Sequence, residues 1–107
     1  MAASLDRLEA TIHARRSADP TTSYVARLTA DGRAKIARKL GEEAIETLVA
    51  AITNDRTATT SEAADLVFHL LVLLADMDLS FDDVIAELDR REGLSGLAEK
   101  AARAGDA

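Results

Sequence analysis

The chain has 107 residues, 48% of them hydrophobic but only 3% aromatic, with one proline, no cysteine and a net charge of −6. That length predicts one domain with a single core, and the acidic balance argues against nucleic-acid binding. Without cysteine there is no disulfide framework and no thiol chemistry, which suits the cytoplasm.

Apolar content drawn mainly from Ala, Leu, Val and Ile, with few helix breakers, predicts an all-α fold. The first ten residues lack the apolar segment of a signal peptide. The longest apolar run, 66–75, is interrupted by His69 and is too short to span a bilayer, so no membrane partner is expected. Ser4 predicts the cap of a first helix with Leu5, Leu8 and Ile12 at helical spacing, running to about Arg16. Residues 17–23, with Asp19-Pro20, read as a loop. Thr22 or Ser23 then caps a short helix carrying Tyr24, Val25 and Leu28, which breaks at Asp31-Gly32.

From Arg33 one long helix is predicted to about Thr53, with Ile36, Leu40, Ile45, Leu48, Val49 and Ile52 as its apolar face. Gly41 inside it costs about 1 kcal/mol relative to Ala; close approach of a helix or ligand and simple drift explain it equally well. Asn54-Asp55 ends this helix, and the short connection returns the next one antiparallel. Thr59, Thr60 and Ser61 all offer caps, and with Thr59 as cap Glu62 completes a capping box. Residues 66–74 are apolar almost all round. That predicts burial on every side and, in so small a chain, a homodimer or higher homo-oligomer with this helix near the interface. Ser80 with Asp83 predicts the start of a helix carrying Phe81, Val84, Ile85 and Leu88 to about Arg91, with Gly93 at its end. A last short helix is expected over 95–103, with Leu94, Leu97 and Ala98 inward, before a frayed tail at 104–107.

The acidic residues are spaced for more than solubility. Glu42, Glu43 and Glu46 lie within one turn of the long helix, and Glu62 and Asp65 within one turn of the next. If the two helices pack antiparallel, these carboxylates converge. Such a cluster is unstable without a cation, and all-oxygen donors suit Mg²⁺, with Mn²⁺ as the alternative, better than zinc. The competing reading of Glu62 is that it only caps its helix. Arg27, Arg33, Lys35, Arg38 and Lys39 gather just upstream. A hard cation beside a basic cluster suits a polyphosphate substrate, with Lys39 four residues before Glu43 placed to hold it. Lys35 and Arg38 read instead as a solvated face, and Arg90 and Arg91 as surface charges. His69 follows Asp65 by four residues and faces the same side. It can hydrogen-bond a ligating carboxylate or touch substrate; a histidine satisfied within the core is the alternative.

These residues carry a resemblance. The pattern E-E-x-x-E followed by E-x-x-D resembles the MazG-like all-α nucleotide pyrophosphatases. S-Y-V-A-R-L at 23–28, K-I-A-R-K-L-G-E-E-A-I-E at 35–46, E-A-A-D-L-V-F-H-L-L-V-L-L at 62–74 and L-S-F-D-D-V at 79–84 are similar to the phosphoribosyl-ATP pyrophosphohydrolase family of histidine biosynthesis. The resemblance implies a small antiparallel helical bundle completed by dimerisation. It implies hydrolysis of 1-(5-phosphoribosyl)-ATP to 1-(5-phosphoribosyl)-AMP and pyrophosphate. It places metal ligands at Glu43, Glu46, Glu62 and Asp65, with Glu42 binding a second ion or orienting water. Glu42 or Glu46 is the expected proton acceptor, and Tyr24, Arg27, Lys39 and His69 are expected at the substrate. Two departures stand out: Thr22-Ser23 replaces a common Gly-Ser, and the cyclohydrolase domain often fused upstream is missing, which implies the stand-alone form. The nearest rival is a house-cleaning nucleoside triphosphate pyrophosphatase using the same residues. A di-iron bundle lacks its Glu-x-x-His pairs here, and a plain helical interaction module leaves the five acids unexplained.

Overall fold

A computed structural model describes residues 3–92 together with Lys100 and Arg103. Five helices follow in order: α1 (Ala3–Arg15), α2 (Tyr24–Asp31), α3 (Arg33–Ile52), α4 (Arg56–Asp76) and α5 (Phe81–Arg91). No strand occurs among the described residues, so the all-α expectation holds. Apart from Lys100 and Arg103, the helix expected over 95–103 lies outside the described residues, as do Gly93, Leu94 and the tail at 104–107.

Short polar residues set most of the boundaries. Ser4 lies inside α1 rather than ahead of it, and its hydroxyl accepts from the Arg7 guanidinium at 3.3 Å. In the loop, the Asp19 carboxylate accepts from the Thr21 amide and hydroxyl at 2.9 and 2.8 Å, folding the chain toward Ser23. Ser23, not Thr22, caps α2 by accepting from the Ala26 amide at 3.2 Å. Gly32 then breaks the chain at φ +100°, a conformation that excludes most side chains.

The α3–α4 connection is three residues long, with Asn54 in the left-handed region at φ +57°. Asp55 caps α4, accepting from the Ala58 amide at 2.9 Å. The helix therefore begins before Thr59, and the capping box expected between Thr59 and Glu62 does not form. The Thr59 and Thr60 hydroxyls donate back to the carbonyls of Asp55 and Arg56 at 2.7 and 3.0 Å, as threonines inside a helix do. Glu62 is left free for another role.

The core joins Ile12 of α1, Val25 and Leu28 of α2, Ile36 of α3, and Leu71, Val72, Leu74 and Ala75 of α4, with Phe81 and Val84 of α5 packed against it. Polar ties hold the ends. Glu9 accepts from the Phe81 amide at 2.7 Å, joining α1 to the start of α5. Asp76 receives Arg33 at 2.8 Å and Arg16 at 3.9 Å. Ser80 donates its amide to Asp83 at 2.9 Å, as expected for the start of α5.

Two expectations about apolar faces change. In α4, His69, Leu71, Val72, Leu74 and Ala75 are buried and 66–68, 70 and 73 are half-buried, while Asp65 and several positions nearer its start are exposed, so the described helices do not enclose it all round. Its 21 residues are long and apolar enough, by length and composition alone, to cross a bilayer, a property that core helices of helical bundles share. Helix α3 shows the opposite departure. Ile36 is buried, but Ile45, Leu48, Val49 and Ile52 are exposed, because the described helices supply nothing to cover that half of the face. No other helix of this chain approaches Gly41 among the described residues: a Cβ there would meet nothing within 4 Å.

Candidate metal centre and basic recess

The α3–α4 hairpin brings the two acidic groups together. Carboxylate oxygens of Glu43, Glu62 and Asp65 all lie within 4.8 Å of one another. Glu43 is only 8% exposed. One oxygen each of Glu43 and Glu62 is buried without a hydrogen-bond partner. A buried carboxylate oxygen left unpaired is costly; two such oxygens, with the exposed Asp65 carboxylate in reach, make a donor set suited to a hard dication. The residues present thus fit a divalent cation bound through oxygen. Glu46 stands close by and pushes the Glu62 carboxyl up to about 7, first by hydrogen bonding to it and then, with burial, by its charge; Glu43 adds to the same effect.

Glu42, the remaining acid of the cluster, turns away from the trio. It pairs with Lys39 at 3.2 Å and Arg38 at 3.9 Å. The hydrogen bond with Glu42, followed by its charge, raises the Lys39 pKa. Lys39 therefore faces Glu42 rather than bridging to Glu43.

His69 and Tyr24 form a strut between α4 and α2. The His69 ring is 5% exposed, with Nδ1 2.7 Å from the Asp65 carbonyl and Nε2 2.8 Å from the Tyr24 hydroxyl. A carbonyl only accepts, so Nδ1 carries the proton and, in the neutral ring, Nε2 accepts from the phenol. His69 reaches the backbone of Asp65, not its carboxylate. The Tyr24 ring stacks near Phe68 with centroids 6.2 Å apart, and Phe68 meets His69 edge-on at 5.2 Å. Burial is the largest influence on the phenol and pushes its pKa up, so it stays a hydrogen-bond donor.

On its other side Tyr24 lines a recess of about 160 Å³ with Arg27, Leu28, Asp31, Lys35 and Lys39. Lys35, read from sequence as solvated, is part of this recess, whereas Arg38 is not. The available signal was its spacing of four from Lys39; what the spacing could not show is how the Gly32 break folds Arg27 back toward both. A second cleft, of about 360 Å³, opens beside the acids and is lined by Glu46 and Glu62 together with Ile45, Val49, Ala50 and Ala58, among others. A third, at the α3–α4 turn, is lined by Ala51, Asn54, Arg56, Thr59 and Thr60 and holds no acidic group.

A family model described as phosphoribosyl-ATP pyrophosphohydrolase matches residues 5–92. A protein of Rhizorhabdus wittichii named phosphoribosyl-ATP pyrophosphatase is 67% identical over 103 residues, covering 96% of this chain and 97% of the relative. Proteins of the same name from Erythrobacter litoralis and Rhodobacter capsulatus are 64% and 57% identical, each over 92% of this chain and 95% and 96% of their own length.

Proposed function

The chain belongs to the phosphoribosyl-ATP pyrophosphohydrolase family, and we propose that it hydrolyses 1-(5-phosphoribosyl)-ATP to 1-(5-phosphoribosyl)-AMP and pyrophosphate, the second step of histidine biosynthesis. The carrying observation is the trio Glu43, Glu62 and Asp65, with carboxylate oxygens mutually within 4.8 Å and two of them buried and unpaired.

In this reading Glu43, Glu62 and Asp65 hold Mg²⁺, or Mn²⁺ in its place. The ion, when bound, supplies Lewis acidity and neutralises charge on the phosphates. Glu46, outside the tight trio but beside Glu62, accepts the proton of the attacking water, although the family pattern also counts it a ligand. Glu42 orients Lys39. Arg27 and Lys39 bind phosphate oxygens, and Tyr24 forms the wall between the acidic and basic sides. His69, closed off from solvent, serves the substrate by holding Tyr24. The protein works in the cytoplasm as a single-domain homodimer.

Pyrophosphate release from phosphoribosyl-ATP, measured with and without Mg²⁺, tests this. Turnover is expected to require the ion and to fall roughly a hundredfold or more in Glu43→Gln and Asp65→Asn. Folded variants with near-native rates would refute the metal assignment. Equal or faster turnover of free non-standard nucleoside triphosphates would move the substrate to the house-cleaning class.

A further inference from the structure

We propose that the recess formed by Arg27, Lys35 and Lys39 binds the two terminal phosphates of the substrate and holds pyrophosphate after cleavage, with Lys35 a binding residue in its own right. This rests on the reading of the acidic trio as the site of phosphoanhydride cleavage.

Three cations face one carboxylate, Asp31, in a space of about 160 Å³. Among the described residues Arg27 and Lys35 make no ion pair, and Lys39 pairs only with Glu42. Gathering like charges in one recess is unfavourable unless an anion joins them. A polyphosphate end meets that need, since Arg and Lys both donate charge-assisted hydrogen bonds to phosphate oxygens.

Position selects which end of the substrate enters. Lys39 lies one helical turn before Glu43 and Lys35 two turns, about 6 and 12 Å along α3. Tyr24 lines the recess and bonds His69, whose other ring nitrogen bonds the Asp65 carbonyl, so one strut joins the recess to the segment that carries the acids. The substrate carries a second anion, the 5-phosphate of its N1-linked ribose, but two riboses and a purine separate that group from the scissile bond. The β- and γ-phosphates adjoin the bond and leave together with their charge on two adjacent groups, whereas the charge of the other product is divided between two distant phosphates. Arg27 and Lys35 thus hold the group that departs rather than the nucleoside that remains.

Binding of inorganic pyrophosphate in the presence of Mg²⁺, followed by equilibrium dialysis, reads the recess without turnover. Lys35→Gln is expected to weaken it about tenfold or more, and Lys35→Arg to restore most of the loss. In steady state with phosphoribosyl-ATP, Lys35→Gln should raise KM and the inhibition constant for pyrophosphate together, leaving inhibition by ribose 5-phosphate unchanged. Unaltered pyrophosphate affinity in Lys35→Gln overturns the proposal. So does a loss confined to ribose 5-phosphate, which would assign the recess to the other end. A native protein that binds pyrophosphate through Lys35 yet does not cleave phosphoribosyl-ATP would instead refute the functional reading and leave the recess standing.

Discussion

Glu62 is an acid held among acids, and its carboxyl is raised to about 7 by Glu46 and Glu43. An acid whose pKa is higher folded than unfolded contributes stability when protonated. That contribution is complete below the ordinary value of 4.5 and is lost as the pH rises through about 7. The metal-free protein should therefore lose melting temperature between these two pH values, and Glu62→Gln should flatten the decline. Mg²⁺, which favours the ionised trio, should restore the native protein most at the upper end. Thermal melts across that window, with chelator and with Mg²⁺, check the sign; a slope identical in Glu62→Gln would remove Glu62 from the cluster. The Tyr24–His69 strut gives a second test. Tyr24→Phe keeps the ring near Phe68 but strands the buried Nε2 of His69. A loss of about 1–3 kcal/mol is expected from urea unfolding. At this scale the acids were legible because their spacing of three and four survives any detail of packing. The strut was not, because Tyr24 and His69 are 45 positions apart and only the fold makes them neighbours.

Among the elements, α4 shows how a boundary can be misread while the helix is not. Thr59, Thr60 and Ser61 look like caps by composition, yet Asp55 has that role and the first two threonines turn their hydroxyls back along the helix. Cap chemistry was ambiguous because four candidate residues crowd one stretch, and only the turn at Asn54 decides among them. The choice matters for chemistry, since a Glu62 engaged in capping could not share a cation with Glu43. Asp55→Ala is expected to cost about 1 kcal/mol, whereas Thr59→Ala should stay within about 0.5 kcal/mol of the native protein. Urea unfolding of the two variants side by side separates the alternatives; the reverse order would return the cap to Thr59. The remaining helices were legible from apolar spacing and breakers, with Ser23, Gly32 and Ser80 marking their ends.

For the whole molecule, the exposed half of α3 is the feature the described helices do not explain. Ile52 is 84% exposed, and Ile45, Leu48 and Val49 are each more than half exposed on the same helix. A contiguous apolar face of this kind marks an interaction surface. Sequence periodicity identified the face correctly but could not say which partner covers it, and it expects α4 near a subunit contact. The proposed homodimer is better served by α3. Ile45 and Val49 also line the cleft that contains Glu46 and Glu62, so a second copy seated there would wall the acidic site from water as it buried the apolar face. Replacing Ile52 with Asp puts a charge where the free chain already exposes the side chain, so the fold of one chain should survive while association does not. Sedimentation equilibrium is expected to give a dimer for the native protein and a monomer for Ile52→Asp. The native melting temperature should rise with protein concentration and that of the variant should not. Turnover of phosphoribosyl-ATP should fall with the dimer fraction, because each acidic cluster loses the surface that closes its cleft. A native protein that is fully active as a monomer would detach the α3 face from catalysis and leave the trio sufficient within one chain.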